Sequence, residues 1–174
     1  MPQPLFEKLK ALNIDTSLIG LEKFIDWNCF CIPIGAEIFA GLGIDGVQFC
    51  TINGFHDMIF SISPEALHDR YVNPLAYNFK DFLGLIITCK NANPLEQIYW
   101  STENDFYEFL KKDIKENVLD GQESILQIIQ TELQVPPVSN PYSYVKKIQS
   151  EFDYSLIKYP DEFYEITGLE KVTS

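Results

Sequence analysis

Arginine is almost missing from this chain: of thirteen basic residues only Arg70 carries a guanidinium, set against twenty-five acidic residues and a formal net charge of −12. The planar, bidentate phosphate clamps on which nucleotide and phosphoryl-transfer enzymes rely are therefore scarcely available. An acidic excess of this size repels phosphate backbones and anionic lipid headgroups and speeds encounter with basic proteins. The expected partner is thus a basic protein, with no nucleic acid and no membrane. Long apolar runs are missing as well, each candidate being broken by Gly, Pro or a charge before the roughly 18 residues of a membrane span. The opening stretch, MPQPLFEKLKALNID, has charges inside its only apolar segment and reads as no signal peptide. These features predict a cytoplasmic protein, in which Cys29, Cys31, Cys50 and Cys89 are expected as free thiols. Zinc is not expected, because Cys29-x-Cys31 lacks the usual spacer of roughly two to four residues and has no second pair to complete a site. No GxSxG, P-loop or HExxH string occurs, and no cofactor is predicted.

What is present is enough for an independent core. A chain of 174 residues buries roughly 70% of its unfolded surface, and its apolar fraction of 46% and aromatic fraction of 14% offset the entropy of ordering it. PLFEKLKAL, residues 4–12, has leucines at helical spacing behind Pro4 and reads as an opening helix. CFCIPI, residues 29–34, has the composition of a strand interrupted by Pro33. Between Val47 and Ser61, VQFCTI and FHDMIFS flank Asn53-Gly54, the strongest short-range hairpin signal. A two-residue turn there pairs Ile52 with Phe55, Thr51 with His56 and Cys50 with Asp57, and places Val47, Phe49, Met58 and Phe60 on one core face.

Pro64 ends this hairpin, and the stretch through Asn73-Pro74 reads as turns. Asn78 is an N-cap for NFKDFLGLIITCK, whose buried stripe is Phe79, Phe82, Leu83 and Ile86. Thr102 with Asp105 imitates a capping box ahead of a helix that buries Phe106, Phe109, Leu110 and Ile114. ESILQIIQTEL follows Asp120-Gly121 as a further helix. VPPVSNP, residues 135–141, is the one linker-like segment. The thirty or so residues after it are too few for a second domain and are expected to form a helix around Tyr144 to Phe152, then an extended SLIKY piece packing back on the body. The prediction is one α+β domain over residues 1–174: an antiparallel sheet with a central hairpin and helices packed on one face.

Several constellations invite a catalytic reading and fail on context. Gly41, Gly43 and Gly46 have dinucleotide-binding spacing with Asp69 downstream, but that site needs a helix to open at the third glycine, whereas VQFCTI reads as a strand. His56-Asp57 and His68-Asp69 suggest a metal phosphohydrolase, yet successive strand residues such as His56 and Asp57 point to opposite faces. Cys50 as nucleophile with His56 as base fails for the same reason. Trp27, Trp100, Tyr99 and Phe55 are the aromatic candidates for anchoring a partner. The remaining catalytic alternative is a small enzyme with a site near His56 and Asp57, and a third class is an assembly or scaffold subunit.

GIDGVQF, then a hairpin ending in MIFSISP, then YVNPLAYNFKDFLGLIITC and a helix such as NDFYEFL, form a series that resembles the SUKH superfamily. That superfamily includes many bacterial immunity proteins and relatives of a yeast cell-wall synthesis regulator. The resemblance covers about two fifths of the chain, with the NFKDFLGLI helix after an antiparallel sheet as its best-matched feature. It implies a non-enzymatic task, the binding and neutralising of a toxin domain. Independently of that resemblance, the charge of −12 and the failure of each catalytic motif make Asp45, Asp57 and His56 the expected partner-binding residues, with Asp45 in the turn before the hairpin and Asp57 off its core face, both expected at the solvent.

Overall fold

A computed structural model describes residues 4–23, 29–65 and 70–171. Trp27, His68 and Asp69 lie outside the described residues. Helix α1, Pro4–Ala11, precedes four strands, β1 (Ala36–Gly41), β2 (Gln48–Ile52), β3 (Ile59–Ile62) and β4 (Val72–Ala76). They form one antiparallel sheet in the order β1-β2-β3-β4, each strand beside its neighbour in sequence. Helices α2 (Phe79–Cys89), α3 (Asn93–Gln97), α4 (Glu103–Glu116), α5 (Gln122–Glu132), α6 (Pro141–Glu151) and α7 (Asp161–Thr167) follow. The fold is α+β, with helices packed against the sheet.

Local signals set the helix starts. The Asn78 side chain accepts the Asp81 N–H at 2.9 Å, and the Thr102 hydroxyl accepts the Asp105 N–H at 3.2 Å, each satisfying one of the donors a helix N-terminus leaves open. Phe79, Phe82, Leu83 and Ile86 of α2 are buried against the sheet, where the Phe82 ring meets Phe49 of β2 at a centroid distance of 5.2 Å. In α4, Phe106 and Leu110 are buried, whereas Phe109 is half-buried and Ile114 is 36% exposed. The stripe is narrower than its apolar residues suggest. The segment 135–138 is no free linker, because Val138 N–H donates to the Gly84 carbonyl at 3.2 Å and Thr88 donates to the Val138 carbonyl at 2.7 Å. It lies so close to α2 that a Cβ on Gly84 would sit 2.6 Å from the Pro136 carbonyl oxygen.

The hairpin exists, but its register differs from the two-residue expectation. Phe55 N–H donates to the Ile52 carbonyl at 3.1 Å, which is the expected turn at Asn53-Gly54. A second turn follows at once, Met58 N–H donating to the Phe55 carbonyl at 3.2 Å around His56-Asp57. Phe55 is held there by Phe60 and Phe152, with ring centroids at 5.5 and 5.4 Å. The ladder therefore resumes three positions later, pairing Cys50 with Phe60, Phe49 with Ser61 and Gln48 with Ile62. An odd shift reverses the faces of the returning strand. Val47 and Phe49 join the core under α2, while Phe60 is buried in the cluster on the other side of the sheet and Met58 packs against it.

Two further expectations are corrected. Residues 29–34 form turns rather than a strand, the Ile32 N–H donating to the Cys29 carbonyl at 3.2 Å, and β1 begins only at Ala36. The stretch around Asn73-Pro74 is strand β4. Pro74 is tolerated because β4 is a sheet edge covered by α6, where Gln149 donates to the Pro74 carbonyl at 3.4 Å. The second face of the sheet carries Cys50, Ile52, Phe60, Ile62 and Val72 and is covered by Cys31, Ile157 and Phe163. The C-terminal extension thus packs back on the body, with the short helix α7 where an extended piece was expected to end the chain.

Candidate functional site

The meander divides the sheet's loops between two ends. At one end lie the β1–β2 turn with Asp45, the exit of β3 with Ser63 and Glu65, and the entry to β4 with Arg70. Helix α3 brings Glu96 to the same end, and Tyr99 and Trp100 follow it. These groups line a cleft of about 240 Å³. Its geometry is set by ordinary turn chemistry: Gly43 and Gly46 take φ of +83° and +64°, conformations that glycine adopts without strain, and fold β1 back into β2. A Cβ on Gly43 would run into the Glu22 carboxylate. The glycine string that imitates a dinucleotide loop is therefore a strand-to-strand turn, with β2 where a helix would be required.

Three carboxylates and one guanidinium line this cleft. Glu96 is half-buried and accepts a hydrogen bond from the Ser63 hydroxyl at 2.8 Å. Burial holds its carboxyl above the usual range; the Ser63 hydrogen bond acts in the opposite direction, and the Asp45 charge adds to the rise. The Arg70 guanidinium lies 4.2 Å from the Tyr154 ring centroid and 5.5 Å from that of Tyr99. Its carbonyl accepts from Asn73, whose side-chain oxygen accepts in turn from the Tyr154 hydroxyl, both at 3.3 Å. Trp100 is 48% exposed, and Ile44, beside Asp45 in the turn, is 51% exposed. Exposed apolar groups so close to carboxylates suit a basic partner with an apolar patch of its own.

His56 and Asp57 lie at the opposite end of the sheet, both exposed, in the second of the two successive turns. Asp45 is separated from them by β2, five residues or about 17 Å of strand. The structure brings His56 and Asp57 together and sets Asp45 apart. Cys50 is fully buried in the second-face cluster, and desolvation pushes its thiol well above the ordinary range, so it shares no pocket with the exposed His56. Of the aromatic candidates, Tyr99 and Trp100 line the cleft, while Phe55 braces the loop. Sequence reasoning missed Glu65, Glu96 and the part played by Arg70, since they converge from β3, β4 and α3 and no local spacing announces that. Among the described residues no group of three or more His, Cys, Asp and Glu side chains is placed to hold a metal ion, and no helix is long and apolar enough to cross a membrane. No family model, curated protein or solved structure matches the chain.

Proposed function

We propose that this protein is a non-enzymatic binding domain that docks a basic protein partner in the cleft lined by Asp45, Glu65 and Glu96. The observation that carries the reading is the placement of an exposed tryptophan beside three carboxylates at one end of a sheet whose two faces are covered. Trp100 supplies the apolar anchor, and the carboxylates supply the charge that orients a lysine- or arginine-rich surface and raises its association rate. The SUKH resemblance suggests a toxin domain as that partner and neutralisation as the outcome, since a nuclease toxin presents a basic face to its substrate.

The test is association kinetics with the product of the neighbouring gene as the first ligand. Asp45→Asn with Glu65→Gln should slow association about tenfold at low salt and flatten its salt dependence. Trp100→Ala should speed dissociation instead. Asp57→Asn, at the far end of β2, should change neither rate. A partner whose association responds to Asp57 and is indifferent to Asp45 would move the binding surface to the opposite end of the sheet and refute this assignment.

A further inference from the structure

Away from the cleft, the turn over residues 29–32 carries a pair of thiols in the apolar cluster that covers the second face of the sheet. The Ile32 N–H donates to the Cys29 carbonyl, and this reversal folds Cys31 back so that its Sγ lies 2.8 Å from Cys29 Sγ. Both residues are buried, with Cys29 at 9% exposure and Cys31 at 0%. The turn is anchored from outside, since Ile34 N–H donates to the Lys158 carbonyl at 2.8 Å, tying it to the C-terminal extension. Cys50 belongs to the same apolar cluster as a buried free thiol.

We propose that Cys29 and Cys31 form an oxidisable dithiol, a modification site at which a hydroperoxide is reduced and a Cys29–Cys31 disulfide is made. Cys29, the less buried of the two residues, attacks the peroxide oxygen as its thiolate; the O–O bond breaks, an alcohol leaves, and a sulfenic acid remains on Cys29. Cys31 then attacks the Cys29 sulfur, the S–O bond breaks and water leaves. Two thiols and one hydroperoxide give one disulfide, one alcohol and one water, so the two electrons lost by the sulfurs reduce the peroxide bond. Burial, the hydrogen bond to Cys29 and the neighbouring Cys29 sulfur push the Cys31 thiol up, which disfavours it as the first nucleophile; its place in the second step comes from its position against Cys29 Sγ. The turn supplies what the step needs, two sulfurs brought into register before any oxidant arrives.

The experiment uses the full chain with hydrogen peroxide, followed by alkylation after unfolding and peptide mapping. The expected product has a Cys29–Cys31 bridge, with Cys50 and Cys89 fully alkylated and dithiothreitol restoring all four thiols. Cys31→Ser should leave a sulfenic acid on Cys29 that dimedone traps. Because that variant could unfold, the wild-type chain gives an independent reading: in glutathione redox buffers the folded chain should favour the bridge about tenfold more than the urea-unfolded chain. By linkage this equals about 1.4 kcal/mol of added stability in the oxidised protein, measurable as a higher melting temperature. Four alkylatable thiols after peroxide, a bridge through Cys50 or Cys89, or equal bridging in folded and unfolded chains would each overturn the proposal.

Discussion

The two faces of the sheet are buried by different means. Under α2 the apolar contacts come from an element that begins three residues after β4, and Phe49, Phe79 and Phe82 meet ring against ring. The other face is covered from both sides of the sheet in sequence, by the turn at Cys29–Ile32 just ahead of β1 and by the extension bearing Ile157 and Phe163, about eighty residues after β4. Tyr159 stacks on Phe163 with ring centroids 3.9 Å apart, so that cover has an ordered aromatic layer of its own. The first face is built around α2 with helices before and after it adding to the same core, whereas the second depends on the chain's return. One face is structural to the whole domain, and the other is expected to open by itself, as hydrogen exchange would show.

That contrast can be broken most directly by deleting one ring from each face. Phe82→Ala should cost about 3–5 kcal/mol in urea denaturation and lower the protection of every strand together, since the ring is fully buried beneath α2. Phe163→Ala should cost less, because α7 can detach without unfolding the sheet. Hydrogen exchange should then rise in α7 while β2 stays protected. Equal losses with equal exchange patterns would dissolve the distinction. The next effect concerns the layer outside α2: Gly84→Ala sets a methyl against the Pro136 carbonyl and should cost about 1–3 kcal/mol, despite alanine's better helix propensity. A stabilised variant would show that the 135–138 segment yields easily.

The smallest effect lies at the cleft, where the sheet's end meets solvent. Glu96 has its carboxyl held above its unfolded value by burial, so between those two values the folded state binds more protons than the unfolded state. Stability contributed there is present at lower pH and lost as pH rises through the window that starts near 4.5. Glu96→Gln keeps an acceptor for Ser63 and removes the charge. It should raise the melting temperature slightly at neutral pH and flatten the slope above that window. An unchanged slope would mean that the carboxylate is solvated after all.

How far the sequence could be read depended on how local each cause was. Asn78 and Thr102 act within three residues, and both capped the helices expected of them. The Asn53-Gly54 turn formed where its chemistry placed it, but the ladder did not restart there. Asn53 N–H instead donates to the Gly35 carbonyl at 2.9 Å, extending β2 along β1, and the packing of Phe55 favours the second turn at His56-Asp57. Strand β4 was hidden because proline and asparagine mark turns in isolation, while α6, nearly seventy residues later, makes an edge position acceptable for Pro74. The cleft was least legible. Asp45 was singled out from charge and from its place in the turn before the hairpin, and the neighbours that give it a setting, Glu96 and Trp100, arrive by tertiary placement.

Strand pairing in chain order has a consequence for biosynthesis. As the polypeptide emerges, the sheet can close by successive neighbouring hairpins, with low loop-closure cost, and α2 can dock as soon as it follows. Of the residues that shield Phe60, Ile62 and Val72, Cys31 precedes the sheet, whereas Ile157 and Phe163 are translated about eighty residues after β4. A nascent chain with its meander complete and α2 docked still shows apolar surface on the side that the extension will cover, and the interval before the extension arrives exposes this protein to aggregation and to capture by chaperones.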